Sequence, residues 1–293
     1  MKDAVRLVVY FATVVVLGAL LAPILFWAAQ WLTAHDIFPF LARFDFETFF
    51  HRALLLAAVL LIWPLFRAIK VRQLGDLDLQ PNPRRWRHFF GGFLSAIVPL
   101  FCCGLILVTT QVYSIRSHIA WSTLGAILLT AVVVPAIEES FFRGLVLGIL
   151  LRSRRQYLSI GVTSALFAIV HFLKAPERTS AIVTWTSGFR SVAHSFAQFS
   201  EPMLVLTGFT TLFLIGWIMG DARVRTRSLW VSIGLHAGWI LGNGVFNKIA
   251  RRQIMLLPWL GKNLLIGIIP LGVICLTWII VRLWLGRQRD GKT

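Results

Sequence analysis

Residues Pro135 to Gly144 read PAIEESFFRG, with LGAILLTAVVV before them and LVLGILL after them. Two glutamates and an arginine therefore stand inside a long apolar run. Read as a helix in hydrocarbon, this stretch decides the fold, because a charged side chain in a bilayer core is costly and is retained where it pairs or performs chemistry. Glu139 and Arg143 are four residues apart on one helix face and can neutralise each other. Glu138 is turned about 100° away from that pair. It can face a polar cavity and take a proton. Pro135, three residues before Glu138, is expected to kink the helix or free a carbonyl nearby.

The rest of the chain supplies the same medium. Of 293 residues, 57% are hydrophobic and only 14% are charged, and the mean hydropathy is +0.77, which is too apolar for an ordinary soluble domain. The expected architecture is all-α and polytopic. Spans of roughly 17 to 25 apolar residues are the unit, and about eight are expected, at residues 8–33, 52–69, 89–110, 119–151, 158–174, 202–221, 229–247 and 263–285. They leave no room for a separate soluble domain, so residues 1–293 are taken as one transmembrane domain with a motif-bearing core at 119–247. The first span follows Lys2 and Arg6 but is too long for a cleaved h-region, and it is expected to be a retained signal anchor.

The net charge of +17 does not point to nucleic acid, because the basic residues fall in short clusters between spans. Orientation explains them better. With the N-terminus cytoplasmic, the inside segments carry Lys2 and Arg6, the cluster from Arg67 to Arg87, Arg152, Arg154, Arg155, Arg223, Arg225, Arg227 and the tail from Arg282 to Lys292. That is the larger share of the 29 Lys and Arg. Anionic lipid is the expected counter-surface. Cys102, Cys103 and Cys275 lie within spans and have no C-x-x-C spacing, so neither a disulfide framework nor a cysteine zinc site is expected.

Two polar connections stand out on the opposite side. HDIFPFLARFDFETFFHR, 35–52, suits a segment lying along the outer interface. APERTSAIVTWTSGFRSVAHSFAQFS, 175–200, is the longest polar interruption and the best candidate for a lid, with His194 expected to face solvent. In the seventh span, Gly234, Gly238 and Gly242 form a doubled G-x-x-x-G ridge for close helix approach, and His236 projects to a different side.

A carboxylate general base needs partners. His171 ends FAIVH in the fifth span, one turn beyond Phe167, and His236 lies in SIGLHAGWILGN. Counted at 1.5 Å per residue from the cytoplasmic span ends, Glu138 lies roughly 20 Å deep, His171 about 18 to 20 Å, His236 about 12 Å and Asn243 about 22 Å. One polar cluster drawn from three helices is geometrically possible.

E-E-x-x-x-R at Glu138, Glu139 and Arg143, F-x-x-x-H at Phe167 and His171, and the later His236 resemble the three motifs of the CPBP intramembrane proteases, which include CAAX-prenyl endopeptidases and bacteriocin-processing or immunity (Abi) proteins. The family usually has Asn or Asp four residues after the last histidine, where this chain has Ile240; Asn243 is the nearest substitute. The resemblance implies a glutamate-dependent intramembrane endopeptidase acting on a membrane-anchored protein or peptide. Glu138 with His171 would activate water, His236 with Asn243 would stabilise the oxyanion, and Glu139, Arg143 and Phe167 would hold the geometry. It also raises a divalent metal such as zinc, which Glu138, His171 and His236 would bind with a fourth position open, although H-E-x-x-H is missing. Compact length and short loops resemble prokaryotic members and a bacterial inner membrane. A non-catalytic immunity or scaffolding protein of the same fold stays open, as does a proton-coupled transporter, although no inverted repeat of broken helices is visible.

Overall fold

The computed structural model describes residues 2–119, 121–172, 182–196, 202–254, 258–261 and 263–290. In chain order these form α1 (Lys2–Ala34), α2 (Phe46–Ile69), α3 (Arg85–Thr109), β1 (Tyr113–Ile115), α4 (Leu124–Glu139), a π-helical segment (Ser140–Val146), α5 (Leu147–Leu151), α6 (Gln156–Phe172), α7 (Ser187–Ser195), α8 (Pro202–Thr226), α9 (Trp230–Ile249), β2 (Ala250–Arg252) and α10 (Ile268–Asp290). Short 3₁₀ turns at Pro39–Arg43, Leu74–Leu77 and Trp121–Thr123 complete the connections.

The protein is an all-α integral membrane protein. Among the described residues six helices are long and apolar enough to cross a bilayer: α1, α2, α3, the run Leu124–Leu151, Val205–Thr226 of α8, and Ile268–Gln288 of α10. Two of the eight expected spans fall outside this set. The span expected at 158–174 is a shorter apolar helix, Gln156–His171. The one at 229–247 is α9, whose Ser232, Gly234, His236, Gly238 and Gly242 are buried; a helix enclosed by protein needs no lipid-facing apolar surface. Proline sits inside four of the six at Pro23, Pro64, Pro99 and Pro135, as neighbouring helices in a membrane protein allow.

The chain divides into two compact units, one of residues 1–72 and 169–201, the other of 73–168 and 202–293. In the first, α1 packs on α2: the Tyr10 hydroxyl donates to the Ala58 carbonyl at 2.8 Å, and Phe26 meets Phe46 and Phe49 edge-on. Asp45 caps α2 by accepting from Thr48 N–H at 3.1 Å. The described part of the expected lid is not a loop. It contains α7, whose buried Ser187, Gly188, Ser191 and Ser195 let it lie against α1, with Gly188 over the Ala19 carbonyl. His194 is exposed. Residues 175–181 and 197–200 of that expectation lie outside the described residues.

In the second unit α3 and α9 make the closest approach. A Cβ on Gly234 would strike the Phe89 carbonyl, and one on Gly238 would stand 2.6 Å from the Phe93 carbonyl and 2.9 Å from Ala96. The glycine ridge therefore brings two backbones into contact. The core around it includes Leu100, Phe142, Phe167, Leu235 and Trp239. Helix α10 is tied to α8 through Asp221, which accepts from Arg282 Nε and Trp278 Nε1, both at 3.0 Å, and from Arg225 Nε at 3.1 Å. The strands form a small antiparallel ribbon with Ser114 opposite Arg251.

Candidate active site

The charges of the opening stretch sit where α4 passes into the π-helical segment. Glu139 is the last residue of α4 and Arg143 lies within the wider turn; π turns inside α-helices are rare and concentrate at functional positions. Both side chains are fully buried, and Arg143 Nη1 donates to Glu139 Oε1 at 2.9 Å. The guanidinium has two further holds. Nη2 donates to the Gly216 carbonyl of α8 at 3.3 Å, and its carbon lies 4.3 Å from the centre of the Phe167 ring, a cation–π contact in a desolvated place.

His236 of α9 completes the arrangement. Its Nδ1 is 2.9 Å from the same Glu139 Oε1, and its Nε2 is 3.9 Å from Glu138 Oε2. The ring stands edge-on to Phe167 at 6.1 Å between centroids. Three helices, α4, α6 and α9, thus bring Glu138, Glu139, Phe167 and His236 together, with Arg143 beneath them. Glu138 keeps 28% of its side chain exposed and Glu139 none. The glycine ridge explains how His236 gets there: Gly234 and Gly238 turn one face of α9 onto α3, which directs His236 away from that contact.

The other two expected residues lie further along α6 and α9. His171 stands in the last turn of α6, one turn beyond Phe167 and roughly 6 Å further along its axis, and is half-buried. Asn243 hydrogen-bonds within α9, its Oδ1 accepting from Asn247 Nδ2 at 3.2 Å, rather than to His236. Among the described residues no three His, Cys, Asp or Glu side chains converge to hold a metal ion.

Sequence reasoning assigned Glu139 to Arg143 alone, from their four-residue spacing, and missed its bond to His236, which lies 97 residues away. It also missed Arg223. That side chain is fully buried; Nε donates to the Arg143 carbonyl at 3.1 Å, Nη1 to Asp78 Oδ2 at 3.4 Å and Nη2 to the Leu77 carbonyl. In the sequence it is one of three alternating arginines at a helix end, which reads as topology.

Residues 119–241 match the family model described as type II CAAX prenyl endopeptidase Rce1-like. The match agrees with the CPBP resemblance. It spans Glu138, Glu139, Arg143, Phe167, His171 and His236, includes Ile240, and ends two residues short of Asn243. No curated protein and no solved structure matches the chain.

Proposed function

We propose that this membrane protein is an intramembrane endopeptidase of the CAAX type, hydrolysing a peptide bond of a lipid-anchored or otherwise membrane-associated protein or peptide. The observation that supports it best is the placement of His236, held through Nδ1 by a fully buried carboxylate and turned through Nε2 toward a partly exposed one.

Glu138 is the general base. It takes a proton from a water whose oxygen adds to the scissile carbonyl, and it returns that proton to the leaving amine as the tetrahedral intermediate collapses. His236, carrying a proton on each ring nitrogen, donates Nε2–H to the oxyanion. Glu139 accepts Nδ1–H and so fixes the ring's orientation, as a carboxylate does behind a catalytic imidazole. Arg143 neutralises Glu139 and leaves that oxygen shared between two donors. The motif F-x-x-x-H gives His171 the second hold on the water, a role that rests on the resemblance alone. The prenylated substrate class comes from the family's description.

Comparing membrane proteomes from cells carrying wild type and Glu138→Gln tests the reading. New juxtamembrane peptide termini found only with wild type are expected. Identical termini, with both proteins equally abundant and folded, would overturn proteolysis and leave a binding role for the glutamate–histidine cluster.

A further inference from the structure

A second site lies at one end of the second unit. A cavity of about 620 Å³ is lined by the 3₁₀ turn at Leu74–Leu77, the α5–α6 connection and the end of α8. Two spans stop there, at Leu151 and Thr226, and α6 begins there at Gln156, so the cavity stands at headgroup level. Four arginines line it, Arg152, Arg154, Arg225 and Arg227, against two aspartates, Asp76 and Asp78. The acids are engaged, and so are three of the arginines: Asp76 accepts from Gln73 N–H at 3.0 Å, Asp78 is 3.4 Å from Arg223 and 3.7 Å from Arg227, Arg225 Nε donates to Asp221 at 3.1 Å, and Arg152 donates to the Asp76 carbonyl at 3.2 Å. Arg154 has no ion pair with a described residue.

Asp78, Arg154 and Arg227 all have positive φ, at 55°, 58° and 47°. Each closes a helical segment in the left-handed conformation common at helix C-termini, which turns the chain back at the cavity. Next in the chain to the lining residues Gly75 and Gln156, Leu74, Tyr157 and Leu158 are 69%, 65% and 57% exposed, apolar side chains suited to acyl chains. The volume also exceeds what a free inorganic anion fills and falls in the range of organic ligand sites.

We propose that this cavity binds the phosphate of an anionic membrane lipid, with the arginines on the headgroup and the chains along Leu74, Tyr157 and Leu158. The site is separate from the glutamate–histidine cluster and does not depend on its chemistry.

The test is a titration of the full-length protein in neutral-detergent micelles with phosphatidylglycerol, phosphatidylcholine or inorganic phosphate, read as the rise in melting temperature. Phosphatidylglycerol is expected to stabilise at the lowest concentration. Arg154→Gln should weaken its apparent affinity about fivefold, and Arg154→Gln with Arg227→Gln about 25-fold. Arg87→Gln, an exposed arginine of α3 outside the cavity, should not. Arg154 is exposed and has no ion pair among the described residues, so its variant tests binding without loss of the fold. Equal stabilisation by phosphatidylcholine would overturn the anionic preference, and equal stabilisation by inorganic phosphate would overturn the lipid source. Unchanged affinity in Arg154→Gln, or an equal loss in Arg87→Gln, would overturn the location.

Discussion

Glu139 Oε1 lies 2.9 Å from His236 Nδ1 and, at the same time, 2.9 Å from Arg143 Nη1. One buried carboxylate oxygen therefore joins α9 to the junction of α4 and the π-helical segment. The two neighbouring glutamates have unequal surroundings as a result: Glu139 is enclosed and doubly donated to, and Glu138 is partly exposed. In the proposed mechanism the proton acceptor in contact with substrate is Glu138.

Replacing Glu139 should act first on stability. Glu139→Ala strands the Arg143 guanidinium in a fully buried position, and removing one partner of a buried pair costs about 3 to 5 kcal/mol. A marked fall in melting temperature in detergent is expected. An unchanged melting temperature would mean that Arg143 finds compensation from the Gly216 carbonyl and the Phe167 ring alone.

Glu138→Gln should do the opposite. The side chain keeps its shape and loses its basicity, so cleavage of an identified substrate should fall roughly 10²- to 10⁴-fold while the melting temperature stays within about 0.5 kcal/mol of wild type in equivalent stability.

For His236, a split between kinetic constants is diagnostic. If Nε2 donates to the oxyanion, His236→Ala should lower kcat by roughly 10²- to 10³-fold with KM little changed. A rise in KM at constant kcat would make His236 a substrate-binding residue instead.

Asn243 bonds to Asn247 along its own helix. Asn243→Ala should therefore leave cleavage within a few fold of wild type, and a loss as large as that of His236→Ala would restore Asn243 to the oxyanion site.

Gly238→Val tests the seat of α9. The added Cβ would stand 2.6 Å from a backbone oxygen of α3, which cannot rotate aside as a side chain would. Overpacking costs about 1 to 3 kcal/mol, and because His236 is two residues away, activity should fall further than stability. Full activity in this variant would separate the α3–α9 contact from the site.

Much of this protein is legible in its residues. Apolar runs of span length mark the six helices that, among the described residues, are long and apolar enough to cross a bilayer, because a bilayer imposes a length and a polarity that composition must satisfy. The spacing of Glu139 and Arg143 gives their ion pair, since residues four apart meet on any helix. The glycines at 234, 238 and 242 mark a close helix contact because nothing larger fits there. What lay beyond reach were relations between segments distant in the chain: His236 on Glu139, 97 residues apart, Arg223 on the Arg143 carbonyl, 80 apart, and the arginines of two segments gathered around one cavity. The sequence by itself determined the medium, the helices and the local pairs, which short-range spacing and solvent polarity control. Only the tertiary structure decided which buried donor reaches which carboxylate oxygen, because that depends on helix packing to within a few tenths of an ångström, and no spacing along the chain encodes it.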